Sequence, residues 1–121
     1  MTFAATDLAA LAAAEEVRIE TRASDGTVHR TIIWIVEHEG ELYLRSVNGA
    51  GARWFREATA DTSVALLLDG RRFEAHVVPA TDPASIEACS EGLRRKYRND
   101  YSLGSMLADG ILDTTLRVVP A

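Results

Sequence analysis

The chain of 121 residues is poor in several things, and each shortage closes a class of function. It has one cysteine, Cys89, which excludes an internal disulfide framework and any multi-cysteine metal site. Cys89 falls among apolar residues of a predicted helix with no histidine near it in sequence, the setting of a buried, inert thiol rather than a nucleophile. Apolar runs such as residues 64–68 fall far short of the roughly 20 residues a membrane-spanning helix needs, so no membrane partner is expected. Residues 1–11 are alanine-rich but carry Asp7 and no basic region, so they do not read as a secretory leader, and cytoplasm is the expected compartment. Net positive charge is also missing. The formal net charge of -5 argues against a general nucleic-acid binder, which shows a basic face. Lys96 is the only lysine; the other basic residues are arginines, and with the many alanines this is the bias of a GC-rich bacterial genome. The three histidines, His29, His38 and His76, stand in separate strand contexts without a His-Glu-x-x-His pattern, so no metal site is expected. Neither a nucleophile elbow, nor a phosphate loop, nor a dinucleotide fingerprint is present.

What is there is a regular alternation of strand and turn. With 47% apolar and 26% charged residues, and no repeat or linker, residues 1–121 read as one globular domain. Residues 6–15 have helical spacing, with Thr6 or Asp7 as the cap. Residues 17–22 and 28–37 flank a Ser-Asp-Gly-Thr turn and predict a hairpin; residues 42–47 follow a turn at Glu39-Gly40. After a glycine-rich loop, residues 53–58 have helical character, and residues 63–68 and 71–78 flank Asp69-Gly70, a pair typical of the type I′ turn. Asp82 and Pro83 start a long helix to Arg98 with Ile86, Cys89, Leu93 and Tyr97 down one face; a short helix and a last strand at residues 114–119 complete the order. Residues 31–36 and 64–68 are apolar on both strand faces, which predicts a barrel filled inside and covered outside by helices or a second subunit. The fold class is therefore mainly β: an antiparallel barrel of about six strands with flanking helices.

The stretch Ser46-Val47-Asn48-Gly49-Ala50-Gly51-Ala52-Arg53-Trp54 carries the chemistry that spacing can offer. Two glycines let backbone approach a ligand, the following helix start favours an anion, and Arg53 adds a guanidinium. A loop between strand and helix needs glycines in any case, so spacing alone leaves both uses open. Arg30 and Thr31 stand at the start of a central strand, where Arg30 is equally a solvated strand end. Trp34 and Trp54 can line a cofactor pocket or serve as core or dimer interface. The arginine-rich end of the long helix, Arg94 to Arg98, complements the helix dipole.

In order along the chain, Val17-Arg18-Ile19-Glu20-Thr21-Arg22, Asp25-Gly26-Thr27, Arg30-Thr31-Ile32-Ile33-Trp34-Ile35-Val36, Leu42-Tyr43-Leu44-Arg45-Ser46-Val47, Arg53-Trp54-Phe55-Arg56, Thr81-Asp82-Pro83 and Arg94-Arg95-Lys96-Tyr97 resemble a bacterial family of uncharacterised proteins, domain of unknown function 2255. That family resembles the split-barrel FMN-binding proteins of the pyridoxamine-phosphate-oxidase type, and deazaflavin-dependent nitroreductases in particular. In those reductases a Gly-x-x-Arg-Thr segment leads into a core strand; Gly26, Arg30 and Thr31 match it here with one more residue after the glycine. Later come a serine, a glycine-rich loop and a Trp-aromatic helix start, matched by Ser46, Asn48, Gly49, Gly51, Trp54 and Phe55. The resemblance implies an FMN or deazaflavin cofactor with its phosphate by Ser46, Asn48, Gly49, Gly51 and Arg53 and its ring near Thr31 and Trp34, with Arg30 and Trp54 also among the cofactor-binding residues. It also implies a homodimer with the cofactor in the subunit cleft. The loop here is shorter than in the reductases and offers only Arg53 as a cation.

Three readings follow: an FMN- or deazaflavin-dependent oxidoreductase passing hydride to a small organic substrate, a non-catalytic binder of such a ligand, or a cofactor-free structural dimer of the same fold. No catalytic residue is assigned; Tyr43, Tyr97 and Tyr101 are the proton donors the sequence offers.

Overall fold

The computed structural model describes residues 2–121; Met1, the first residue of the alanine-rich stretch, lies outside them. Helix α1 (Ala5–Ala13) precedes strands β1 (Val17–Arg22), β2 (Val28–Ile33), β3 (Val36–His38) and β4 (Glu41–Leu44). Helix α2 (Arg53–Ala60), strands β5 (Ser63–Leu68) and β6 (Arg71–Pro79), helices α3 (Pro83–Lys96) and α4 (Leu103–Met106), a 3-10 helix (Asp109–Thr114) and strand β7 (Leu116–Pro120) follow. All seven strands join one sheet in the order β2-β1-β5-β6-β7-β4-β3, and every pairing is antiparallel. The two edge strands, β2 and β3, are consecutive in the chain and separated only by Trp34 and Ile35. The sheet therefore curls into a split barrel with helices on its flanks, as the alternation of apolar residues predicts.

The strand expected over residues 28–37 is two strands, which makes the count seven rather than about six. A straight strand there could pair at only one edge of the sheet; the break at Trp34 lets β2 pair with β1 and β3 with β4. Asp69 and Gly70 both have positive φ, 51° and 77°, the requirement of the type I′ turn between β5 and β6. Asp82 caps α3, its Oδ2 accepting from Ser85 N at 3.1 Å, with Pro83 in the first turn. Helix α1 departs from expectation: its cap is Ala4, without a side-chain bond, because Asp7 is drawn instead to Arg71, whose Nη2 donates to its Oδ1 at 2.8 Å.

Inside the barrel, Ile19, Leu42, Leu44, Leu66, Val77 and Leu116 are almost fully buried, and Leu11, Trp54 and Ala58 from α1 and α2 pack against them. Outside, Cys89 and Leu93 of α3 and Tyr97 at its C-terminal cap cover Val36 and Tyr43. Alternation along β4 thus buries both faces: Leu42 and Leu44 inward, Tyr43 under α3. On β2 the outer face is different. Ile32 is 62% exposed and Val28 40%.

Candidate functional site

Strand β4 ends at Leu44, three residues before the expected end, because Arg45 and Ser46 leave the ladder for side-chain partners. Ser46 is buried; its N–H donates to Thr114 Oγ1 at 3.0 Å and its hydroxyl to the Gly49 carbonyl at 2.8 Å. Gly49 has φ of 81°, which lets its N–H return to the Ser46 carbonyl at 3.0 Å. The Gly51 carbonyl accepts from Arg56 Nε at 3.1 Å. Asn48 and Gly51 are exposed on this tied loop. Helix α2 then follows Ala52, an N-cap that makes no side-chain hydrogen bond to its positive end. Arg53, the first helical residue, is exposed and makes no hydrogen bond or ion pair among the described residues. It borders a groove of about 630 Å³ with Arg22, Gly26, Arg56 and Glu57.

The other expected cofactor residues do not gather there. Arg30 is on the outer face of β2, its Nε on Glu20 Oε1 at 3.1 Å, while Arg72 holds the other Glu20 oxygen at 2.7 Å. Burial pushes the Glu20 carboxyl up, but the two guanidiniums more than offset it and leave the carboxyl below its ordinary range. Thr31 is half-buried, and its hydroxyl oxygen is buried without a hydrogen-bond partner. Trp34 is half-buried and stacks on Tyr97, ring centroids 3.8 Å apart and planes within 8°. Trp54 is a core residue, 7% exposed and edge-to-face with Phe55, because α2 turns it into the barrel. It presents no face for a cofactor ring.

Three groups escaped the reading of the sequence. Arg45 is 2% exposed yet has no carboxylate beside it; its guanidinium donates to Thr115 Oγ1, Ser90 Oγ and the carbonyls of Met106 and Ile86 at 3.0–3.1 Å. Burial pulls its pKa below the ordinary value. His29, Glu57 and Thr21 meet from β2, α2 and β1: His29 Nδ1 lies 3.0 and 3.1 Å from the two Glu57 oxygens, and Thr21 Oγ1 donates to Glu57 Oε1 at 2.8 Å. Lys96 is half-buried, with its ammonium on the Ile35 carbonyl at 2.5 Å and no carboxylate partner.

Burial pulls Lys96 down to about 8. An unfolded lysine titrates near 10.4, so the fold disfavours the charged form at neutral pH, and that penalty is relieved as pH rises from about 8 to 10.4. Lys96→Met removes the penalty. Its melting temperature is expected to exceed the parent's at pH 7, with the gap closing by pH 10. A gap that stays constant or widens in thermal unfolding would show that the bond to the Ile35 carbonyl outweighs the desolvation.

A family model described as an uncharacterised protein conserved in bacteria, DUF2255, matches residues 7–118. The chain belongs to this family. No curated protein sequence matches it. Among solved structures, a conserved hypothetical protein of Mycobacterium tuberculosis is similar at a TM-score of 0.76 and 18% identity, over 99% of this chain and 81% of that one. HutZ, a heme storage protein of Vibrio cholerae, aligns at 0.67 and 11% identity, over 100% of this chain and 92% of that one. An F420 reductase aligns at 0.60 and 18% identity, over 93% of this chain and 91% of that one. These likenesses establish that the family shares the fold of ligand-binding split-barrel proteins. No helix among the described residues is long and apolar enough to cross a membrane.

Proposed function

We propose that this chain binds a flavin-type cofactor, FMN or a deazaflavin, as a homodimer and uses it as an oxidoreductase on a small organic molecule. The observation that carries this reading is Arg53: a free guanidinium at the uncapped start of α2, directly after a glycine-rich loop. Phosphate is the ligand such a place favours. Thr31 supports it, since a buried hydroxyl without a partner is costly unless a ligand completes it. Ser46, Asn48, Gly49, Gly51 and Arg53 would hold the phosphate, with Thr31 and the open edge of Trp34 toward the ring. Such a cofactor supplies hydride transfer; the protein supplies position and electrostatics. The exposed Ile32 and Val28 on β2 provide the apolar face that a second copy would cover.

The test is absorbance. Purified protein incubated with FMN or deazaflavin and then desalted is expected to retain the visible spectrum of one of them, and calorimetry then gives its affinity. Arg53→Ala should weaken that affinity by about one to two orders of magnitude, since a charge-assisted contact contributes roughly 1.5–3 kcal/mol. Stability should barely change, because Arg53 contacts no core residue through a polar bond. Lost stability with unchanged affinity would make Arg53 structural. Colourless protein would favour the cofactor-free dimer, a reading that the inward commitment of the Ser46 hydroxyl and the Tyr97 cover over Trp34 supports.

A further inference from the structure

Tyr43, Tyr97 and Tyr101 are the proton donors that stand out in the sequence, yet the fold assembles a better one. Register pairs Thr21 on β1 directly with His29 on β2, and Glu57 of α2 comes down between them. The Glu57 side chain is 11% exposed and that of His29 28%. Burial pushes Glu57 up, but the bonds from Thr21 and His29 outweigh it and hold the carboxyl below its ordinary range, so it is an anion that accepts. An ionised carboxylate on Nδ1 dictates that Nδ1 carries a proton. The neutral ring then has its lone pair on Nε2, and the charged ring has its spare proton there. Nε2 has no partner among the described residues.

The other two histidines lack this arrangement. His76 Nδ1 lies 3.5 Å from the exposed Ser63 hydroxyl, and His38 Nε2 lies 3.9 Å from the exposed Glu39. What surrounds His29 also bears on its use. Arg53 precedes Glu57 by four residues, on the same face of α2 and about 5–6 Å away, and its charge acts on the Glu57 carboxyl. Asp25 of the β1–β2 turn is another charged group in reach of His29. Thr31, with its unpartnered hydroxyl, follows His29 by two residues and so shares its strand face.

We propose that His29 is the acid–base residue of this molecule, positioned by Glu57 and Thr21, and that it protonates a small reducible substrate with a polar double bond. The inference rests on the cofactor reading for its electron source. A reduced flavin-type cofactor gives hydride, two electrons and one proton, to one atom of a polar double bond. Nε2–H of the charged imidazole gives the second proton to the other atom. The cofactor ends oxidised, the substrate gains two hydrogens, and His29, left neutral, takes a proton from water.

Nitrogen-15 NMR of the labelled protein reads the first claim without turnover: the neutral His29 ring should carry its proton on Nδ1, and Glu57→Gln should disturb that preference while Glu57→Asp keeps it. A neutral ring protonated on Nε2 would overturn the proposal. The second claim uses cofactor-loaded protein, reduced and mixed with 4-nitrobenzoate, whose nitro group offers a polar double bond. His29→Gln keeps a donor toward Glu57 and should bind cofactor within about twofold of the parent, yet reduce 4-nitrobenzoate at least about 100-fold more slowly. His38→Gln and His76→Gln should match the parent. Loaded parent protein that ignores 4-nitrobenzoate, or His29→Gln turning over within threefold of the parent, would overturn the proposal while leaving cofactor binding intact. Failure of the parent to take up either cofactor would overturn both.

Discussion

Arg45→Ala is expected to lower the unfolding free energy by about 3–5 kcal/mol, a large share of the roughly 5–15 kcal/mol that typically holds a domain together. The guanidinium bridges β4 to three later segments: α3 through Ser90 and Ile86, α4 through Met106, and the entry to β7 through Thr115. Truncation leaves those acceptors facing a cavity, each unsatisfied group costing about 1–3 kcal/mol. Thr115 suffers least, since its hydroxyl still donates to the Leu112 carbonyl. Lysine at the same place keeps the charge but not the planar fork, and should recover only part of the loss. Denaturant unfolding at neutral pH measures this directly. A loss below about 1 kcal/mol would mean that water enters and replaces the guanidinium.

Gly92→Val should be nearly as damaging, by about 2–3 kcal/mol, for the opposite reason: too much volume rather than too little. Gly92 is where α3 comes closest to β3. A Cβ there would lie 3.0 Å from Val36 Cβ and Cγ2 and 3.2 Å from the Glu37 carbonyl oxygen. Two of these neighbours cannot swing aside, since one is a β-branched carbon in the core and the other is backbone. Gly104→Ala in α4 is the matched control. Nothing lies within 4 Å of its Cβ position, so alanine should be neutral or stabilise by up to about 1 kcal/mol. Equal effects of the two substitutions in thermal unfolding would contradict the close helix–strand approach.

The parts of the fold that could be read from the sequence are those fixed by neighbours in sequence. Asp69-Gly70 defines its turn whatever surrounds it, and Asp82-Pro83 starts its helix in the same local way. The last strand begins at Leu116 and not at residue 114. Thr114 and Thr115 turn their hydroxyls to the carbonyls of Ile111 and Leu112 and finish a 3-10 helix instead, a choice no alternation reveals. The candidate site was legible only in its loop. Trp54 has the composition of a ring-binding residue and the position of a core residue, and only the phase of α2 tells which. His29 and Glu57 are 28 residues apart, and Trp34 and Tyr97 are brought together by α3 from farther still. Arg45 stands within the alternating stretch 42–47, and nothing local announces the helix over it, which the tertiary fold places.

Strand β7 has a position at odds with its place in the chain. It lies between β6 and β4, so it alone joins the four-stranded part β2-β1-β5-β6 to the two-stranded part β4-β3. During synthesis on the ribosome, the first six strands can therefore exist only as two separate hairpin assemblies, each with an open edge waiting for the same partner. Contacts this distant in sequence are slow to form, on the order of milliseconds to seconds. Until residues 116–120 emerge, the inner edges of β6 and β4 are exposed templates for other chains, and a ribosome stalled upstream of residue 116 would present a nascent product prone to intermolecular strand exchange.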